Sequence, residues 1–133
     1  MTPLFADTSY YLALLISDDS AHERAMALSQ TLDAPVVTTA WVLAELANSL
    51  AAARRREQFQ VMYDAMRKDR EVAIVPPTMA LFEEGVALYT RYRDKDWSLT
   101  DCISFIVMRE FGVEEALTGD HHFKQAGFRI LLR

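Results

Sequence analysis

Five short apolar segments, separated by stretches of helical periodicity, constrain this chain more than any other feature. Leu4-Phe5-Ala6, Val36-Val37-Thr38, Val72-Ala73-Ile74-Val75, Ala116-Leu117-Thr118 and Phe128 to Leu132 are too short for helices and have the apolar, often β-branched character of buried strands. Between them lie helical patterns: Tyr10 to Ile16, a stretch through Ala25, Leu28 and Leu32, Trp41 to Ala53, Gln58 to Arg70, a helix opened by Thr78, and Cys102 to Phe111. A short helical turn is expected at His121 to Gln125. Ser20 with Glu23 and Ser98 with Asp101 read as capping boxes, and Thr39 as a helix cap. Strands alternating with helices require crossover connections, so the expected class is α/β, with a central, mainly parallel sheet of four to five strands. Ligands of such sheets bind beyond the carboxyl ends of the strands.

The 133 residues suffice for one core and one domain, residues 1–133. Gly 4 and Pro 4 leave little for linkers. A single cysteine, Cys102, permits no internal disulfide, and the N-terminal stretch has neither a basic leader nor an apolar run long enough for a bilayer. The expectation is a cytoplasmic protein without a membrane anchor. A net charge of -5 runs against nonspecific nucleic-acid binding, unless several acids form one metal cluster whose cation reverses the local field.

Four acids fit that exception. Asp7 follows the first expected strand and Asp120 the fourth, while Glu45 and Asp101 fall in the first turns of helices that start at the same edge. Glu45 and Asp101 both interrupt apolar runs, where an ionised carboxylate is costly unless paired or metal-bound. Clustered carboxylates raise one another's pKa, and a divalent cation relieves that conflict. An all-oxygen set favours Mg²⁺ or Mn²⁺ over zinc, and such an ion suits phosphodiester hydrolysis. Each acid also has a purely structural reading: Asp7 as a helix cap, Asp101 as the acid of a capping box, Asp120 in a turn. Glu45, inside a helix, is the hardest to read that way.

Other groups read as structural. Adjacent histidines, His121 and His122, point in different directions on a regular element, and a helix-start or surface role is expected. Cys102 reads as a buried, inert thiol. Trp41, Trp97, Tyr10 and Tyr11 read as core, Asp96 as a loop acid, and the stripe Phe59, Met62, Tyr63, Met66 as core, a dimer face or a partner's docking surface.

The segments Phe5-Ala6-Asp7-Thr8-Ser9, Thr39 to Glu45, Ser98 to Phe105 and Leu117-Thr118-Gly119-Asp120-His121-His122-Phe123 together resemble PIN-domain proteins, specifically the VapC-type toxins of toxin–antitoxin pairs. The resemblance covers nearly the whole chain. It implies a PIN-like three-layer α/β/α sandwich, a Mg²⁺- or Mn²⁺-dependent endoribonuclease, a homodimer and a cognate antitoxin that blocks the site. In such families the four acids correspond to Asp7, Glu45, Asp101 and Asp120, with the hydroxyls of Thr8, Ser9 and Thr118 as supporting groups. RNA contact would rest on Arg54, Arg55 and Arg56 or on Arg67, Lys68 and Arg70, for which a solvated helix face is the competing reading.

Two other functions remain open. A non-catalytic PIN-like module would bind RNA or protein through the same fold. A phosphotransfer domain with an acidic pocket is a poorer match: the phosphatase pattern wants an acid where Ser9 stands, and a receiver wants adjacent acids after its first strand.

Overall fold

The computed structural model describes residues 2–133. Among them five strands form one sheet: β1 (Leu4–Ala6), β2 (Val36–Thr39), β3 (Val72–Val75), β4 (Glu115–Leu117) and β5 (Arg129–Ile130). The order is β3-β2-β1-β4-β5 and every pairing is parallel. The expected "mainly parallel" sheet is thus parallel throughout, and seven helices flank it in the three-layer α/β/α arrangement. They are α1 (Thr8–Leu15), α2 (His22–Thr31), α3 (Ala40–Ser49), α4 (Ala53–Lys68), α5 (Met79–Arg91), α6 (Leu99–Glu110) and α7 (His121–Gln125).

The topology decides where a site can form. From β1 the chain steps outward to β2 and β3, then returns to the other side of β1 as β4 and β5. The direction of winding reverses between β1 and β4, and at their carboxyl ends the departing chains open a crevice. Asp7 leaves β1 there and Thr118 leaves β4. Central β1 is sealed: Phe5 and Ala6 have no exposed surface. Thr38, fully buried on β2, donates its hydroxyl to the Ala6 carbonyl at 2.8 Å, so its polar group is satisfied inside the core.

Helix ends follow local chemistry in most places. Thr39 accepts from the Val42 amide and Thr78 from the Leu81 amide. Ser98 and Asp101 make the expected reciprocal box at the start of α6. Both α6 and α7 stop at a glycine with positive φ, Gly112 at 66° and Gly127 at 98°, where the next amide reaches back to Met108 or Phe123. These turns deliver the chain into β4 and β5.

Several sequence expectations need correction. No Ser20–Glu23 box forms; α2 starts at His22, and the Asp19 carboxylate takes the Ala21 amide at 2.8 Å instead. The expected helix to Ala53 ends at Ser49, where buried Leu50 anchors the turn, and α4 starts at Ala53 rather than at Gln58. An alanine run contains no breaker to mark such a boundary. The last strand shrinks to Arg129–Ile130, since only two residues find partners on the short β4. Trp97 is core: its indole nitrogen donates to Gln125 at 3.0 Å and its ring meets Phe105 edge-on.

The α5–α6 pair packs closely at Gly85, where a Cβ would overlap the Ile103 side chain. Gly85→Ala gains about 1 kcal/mol of helix propensity but must displace a fully buried isoleucine. A net loss of about 1–3 kcal/mol is expected in urea unfolding, and a stabilised variant would refute the close approach.

Candidate active site

Asp7 stands at the N-cap position of α1 yet makes no side-chain capping bond. Its carboxylate faces the crevice instead, 5% exposed. The Thr118 hydroxyl donates to Asp7 Oδ2 at 2.8 Å, and the Ser9 hydroxyl lies 3.2 Å from the same oxygen. The two hydroxyls are 2.9 Å apart. Thr118 Oγ1 also accepts the Asp120 amide at 3.1 Å, so one buried threonine joins the end of β4 to the end of β1.

Hydrogen bonding does not offset the cost of this position. Burial first, then repulsion from Asp101 and Glu45, lift the Asp7 carboxyl from an ordinary 3.8 to about 6, against the Thr118 hydroxyl and the Thr8 amide, which lower it. Asp101, 8% exposed, is also raised, first by burial and then by Asp120, with the Ser98 amide and His122 opposing. Asp101 and Glu45 thus act on Asp7, and Asp120 acts on Asp101.

The structural readings of the acids come out unequally. Asp101 does form the capping box, accepting the Ser98 amide at 3.1 Å, but the same Oδ2 meets His122 Nδ1 at 3.1 Å. Asp120 caps α7 through the His122 amide at 2.9 Å. Glu45 lies in the second turn of α3, not the first, and is half-buried.

His122 stands at the start of α7, as the helix-start reading has it, and it also meets two acids. Its Nδ1 sits 3.1 Å from Asp101 and 3.3 Å from Asp120, bridging acids from two helices. His121 does not diverge: its ring centroid is 4.4 Å from that of His122, and its Nδ1 is 3.7 Å from Asp120. The signal was present in the sequence as two imidazoles directly after a strand-end acid. Spacing alone could not reveal it, because the contact with Asp101 depends on how α6 and α7 are brought together.

The remaining candidates separate from the cluster. Thr8 sends its hydroxyl to the Val42 carbonyl at 3.5 Å, tying α1 to α3. Cys102 is buried, and burial followed by Asp101 pushes its thiol to about 11, as an inert group requires. Arg54 lines an apolar groove of about 940 Å³ between α1, α2 and α4, which none of the four acids borders. Arg56 spends its Nε on the Ala51 carbonyl, and Arg67 and Lys68 lie in the last turn of α4, where positive charge favours the helix dipole.

A divalent ion fits this donor set. Buried carboxylates that face like charges are the groups that a hard cation would stabilise, and Asp7 is raised first by burial and then by Asp101 and Glu45.

Comparison with known proteins agrees with the geometry. The family model described as PIN domain matches residues 4–129. The 23S rRNA-specific endonuclease VapC20 of Mycobacterium tuberculosis is 31% identical over 125 residues, covering 94% of this chain and 95% of that protein. The crystal structure of that protein, described as a sarcin-ricin loop cleaving toxin, superposes with a TM-score of 0.83 over the same shares. FitAcB from Neisseria gonorrhoeae, 18% identical, and VapBC2 from Rickettsia felis, 14% identical, share the fold with a TM-score of 0.66 each, over 96% of both chains. The chain belongs to the PIN-domain family, on its VapC branch.

Proposed function

We propose that this protein is a metal-dependent endoribonuclease, the toxin of a type II toxin–antitoxin system, in which Asp7, Glu45, Asp101 and Asp120 hold Mg²⁺ or Mn²⁺. The observation that carries the reading is Asp7: a sealed carboxylate at the switch point of the sheet, facing two like charges with no cation among the side chains that touch it. The relationship to VapC20 supports RNA as substrate, and 23S rRNA is the first RNA to try.

When bound, the dication lowers the pKa of a water and offsets charge on the displaced oxygen. The chain's own residues prepare its seat. Thr118 and Ser9 fix one oxygen of Asp7, while the Ser98 amide and His122 fix one oxygen of Asp101. Fixed carboxylates lose little freedom when the ion arrives. His122, touching both Asp101 and Asp120, positions these two acids relative to each other. A non-catalytic module would have no use for a carboxylate held at such cost.

Asp7 makes the reading testable through stability. Between pH 3.8 and about 6 the folded chain holds a proton that the unfolded chain has lost, so without metal stability falls as pH rises through that window and stays low above it. At roughly 1.4 kcal/mol per pH unit the loss is at most about 3 kcal/mol. Metal-free Asp7→Asn should therefore be more stable than the parent at pH 8, with no gain at pH 4. The same variant should lose Mn²⁺-dependent RNA cleavage by more than ~100-fold. Cleavage at the parental rate by purified Asp7→Asn would overturn the assignment.

A cognate antitoxin and a homodimer complete the proposal, each resting on a different surface. The groove between α1, α2 and α4 is walled by Tyr10, Leu14, Leu32, Met62 and Met66 and suits an amphipathic antitoxin segment. Val61 on its rim is 67% exposed, so Val61→Asp should leave folding and cleavage intact while relieving inhibition by the antitoxin; unchanged inhibition would exclude the groove. The dimer face is α5, where Met79, Phe82 and Tyr89 lie exposed along one side. In sedimentation, Phe82→Glu with Tyr89→Glu should yield a folded monomer, and a persisting dimer would place the interface elsewhere.

A further inference from the structure

We propose that Asp101, Asp120, His121 and His122 form a mixed nitrogen–oxygen site for a transition cation of the zinc type, overlapping the carboxylate cluster and inhibitory to it. The Mg²⁺ or Mn²⁺ reading calls for no imidazole among the ligands, because hard cations are served by oxygen. Yet two imidazoles converge on the outer acids. His122 Nδ1 is 3.1 Å from Asp101 Oδ2 and 3.3 Å from Asp120 Oδ1, and His121 Nδ1 is 3.7 Å from that same Asp120 oxygen. The Asp120, His121 and His122 donor atoms all lie within 4.8 Å of one another.

These spacings match what a tetrahedral ion needs. Bonds of about 2.0–2.1 Å at tetrahedral angles put neighbouring ligand atoms about 3.3 Å apart. The separations of 3.1, 3.3 and 3.7 Å lie near that value, and the His121 side chain, 60% exposed, has room to adjust. The two carboxylates neutralise the dication. Imidazole nitrogen shifts preference toward zinc and cobalt(II) and away from magnesium.

Competition follows, and this part rests on the nuclease reading: an ion here engages Asp101 and Asp120, which the hydrolytic cation also requires. Binding itself does not depend on that reading. The test uses the full metal-free chain and cobalt(II) as a visible probe, displaced by Zn²⁺. The expected result is a d–d band of four-coordinate character whose Co²⁺ affinity falls at least ~10-fold in His121→Ala and is unchanged in Asp7→Asn. His121→Ala should cleave RNA like the parent with Mn²⁺ but resist inhibition by Zn²⁺. Equal Co²⁺ titrations for His121→Ala and parent would overturn the proposal, as would loss of the band in Asp7→Asn. A His121-dependent band in a chain that cuts no RNA would uphold this site while removing the nuclease reading.

Discussion

Asp7 ends the central strand with a charge that the surrounding interior cannot solvate. The neighbouring strands offer threonines at this level but no positive charge, and the nearest side-chain relief comes from two hydroxyls, one of them 111 residues away in sequence. A hydrogen bond to a charged group contributes about 1.5–3 kcal/mol. That is too little here, because burial and two facing acids still leave the carboxyl well above its ordinary range. The sheet, the crevice and the hydroxyl cradle converge on a position that is costly for a carboxylate without a cation. Strain of this kind is what a site specific for a divalent ion requires, since a fully satisfied carboxylate would have nothing to gain from it.

The other acids carry two loads at once. Asp101 closes the capping box of α6 while its second contact, His122, comes from α7; Asp120 caps α7 while Asp101 faces it. The α6 and α7 N-termini are thereby coupled through the site, and their helix ends bring positive potential to an acidic cluster. Capping and catalysis are usually weighed as alternatives for an acid near a helix start. Here the cap fixes the carboxylate's orientation, which is also what metal binding needs.

Much of this was legible in the residues. The apolar strands, the helical periods and the strand-edge position of the acids followed from spacing, because each depends on local physics. Boundaries were less legible where no breaker marks them, as in the alanine-rich passage from Leu50 to Ala53, whose turn is set by the buried Leu50. The Ser20–Glu23 pattern was a good local match, but α2 starts at His22 with Ala21 as its cap residue, so Ser20 lies outside the capping position. His122 starts α7 as spacing suggests, but its contact with Asp101 depends on how α6 and α7 pack, which spacing does not carry. The role of Thr118 as a hinge between two strand ends was out of reach, since it depends on which strands are neighbours and not on any sequence spacing.

That hinge sets the order in which the molecule can be completed. Thr118, Asp120 and His122 belong to the last two strands' worth of chain, yet their partners sit at residues 7 and 101. Contacts of such sequence separation close late, after the loop entropy between them has been met. In a chain still emerging during synthesis the cluster lacks one side until residues 118–122 have also emerged. The geometry thus builds a delay into the protein: whatever the finished site does, an unfinished copy cannot do it.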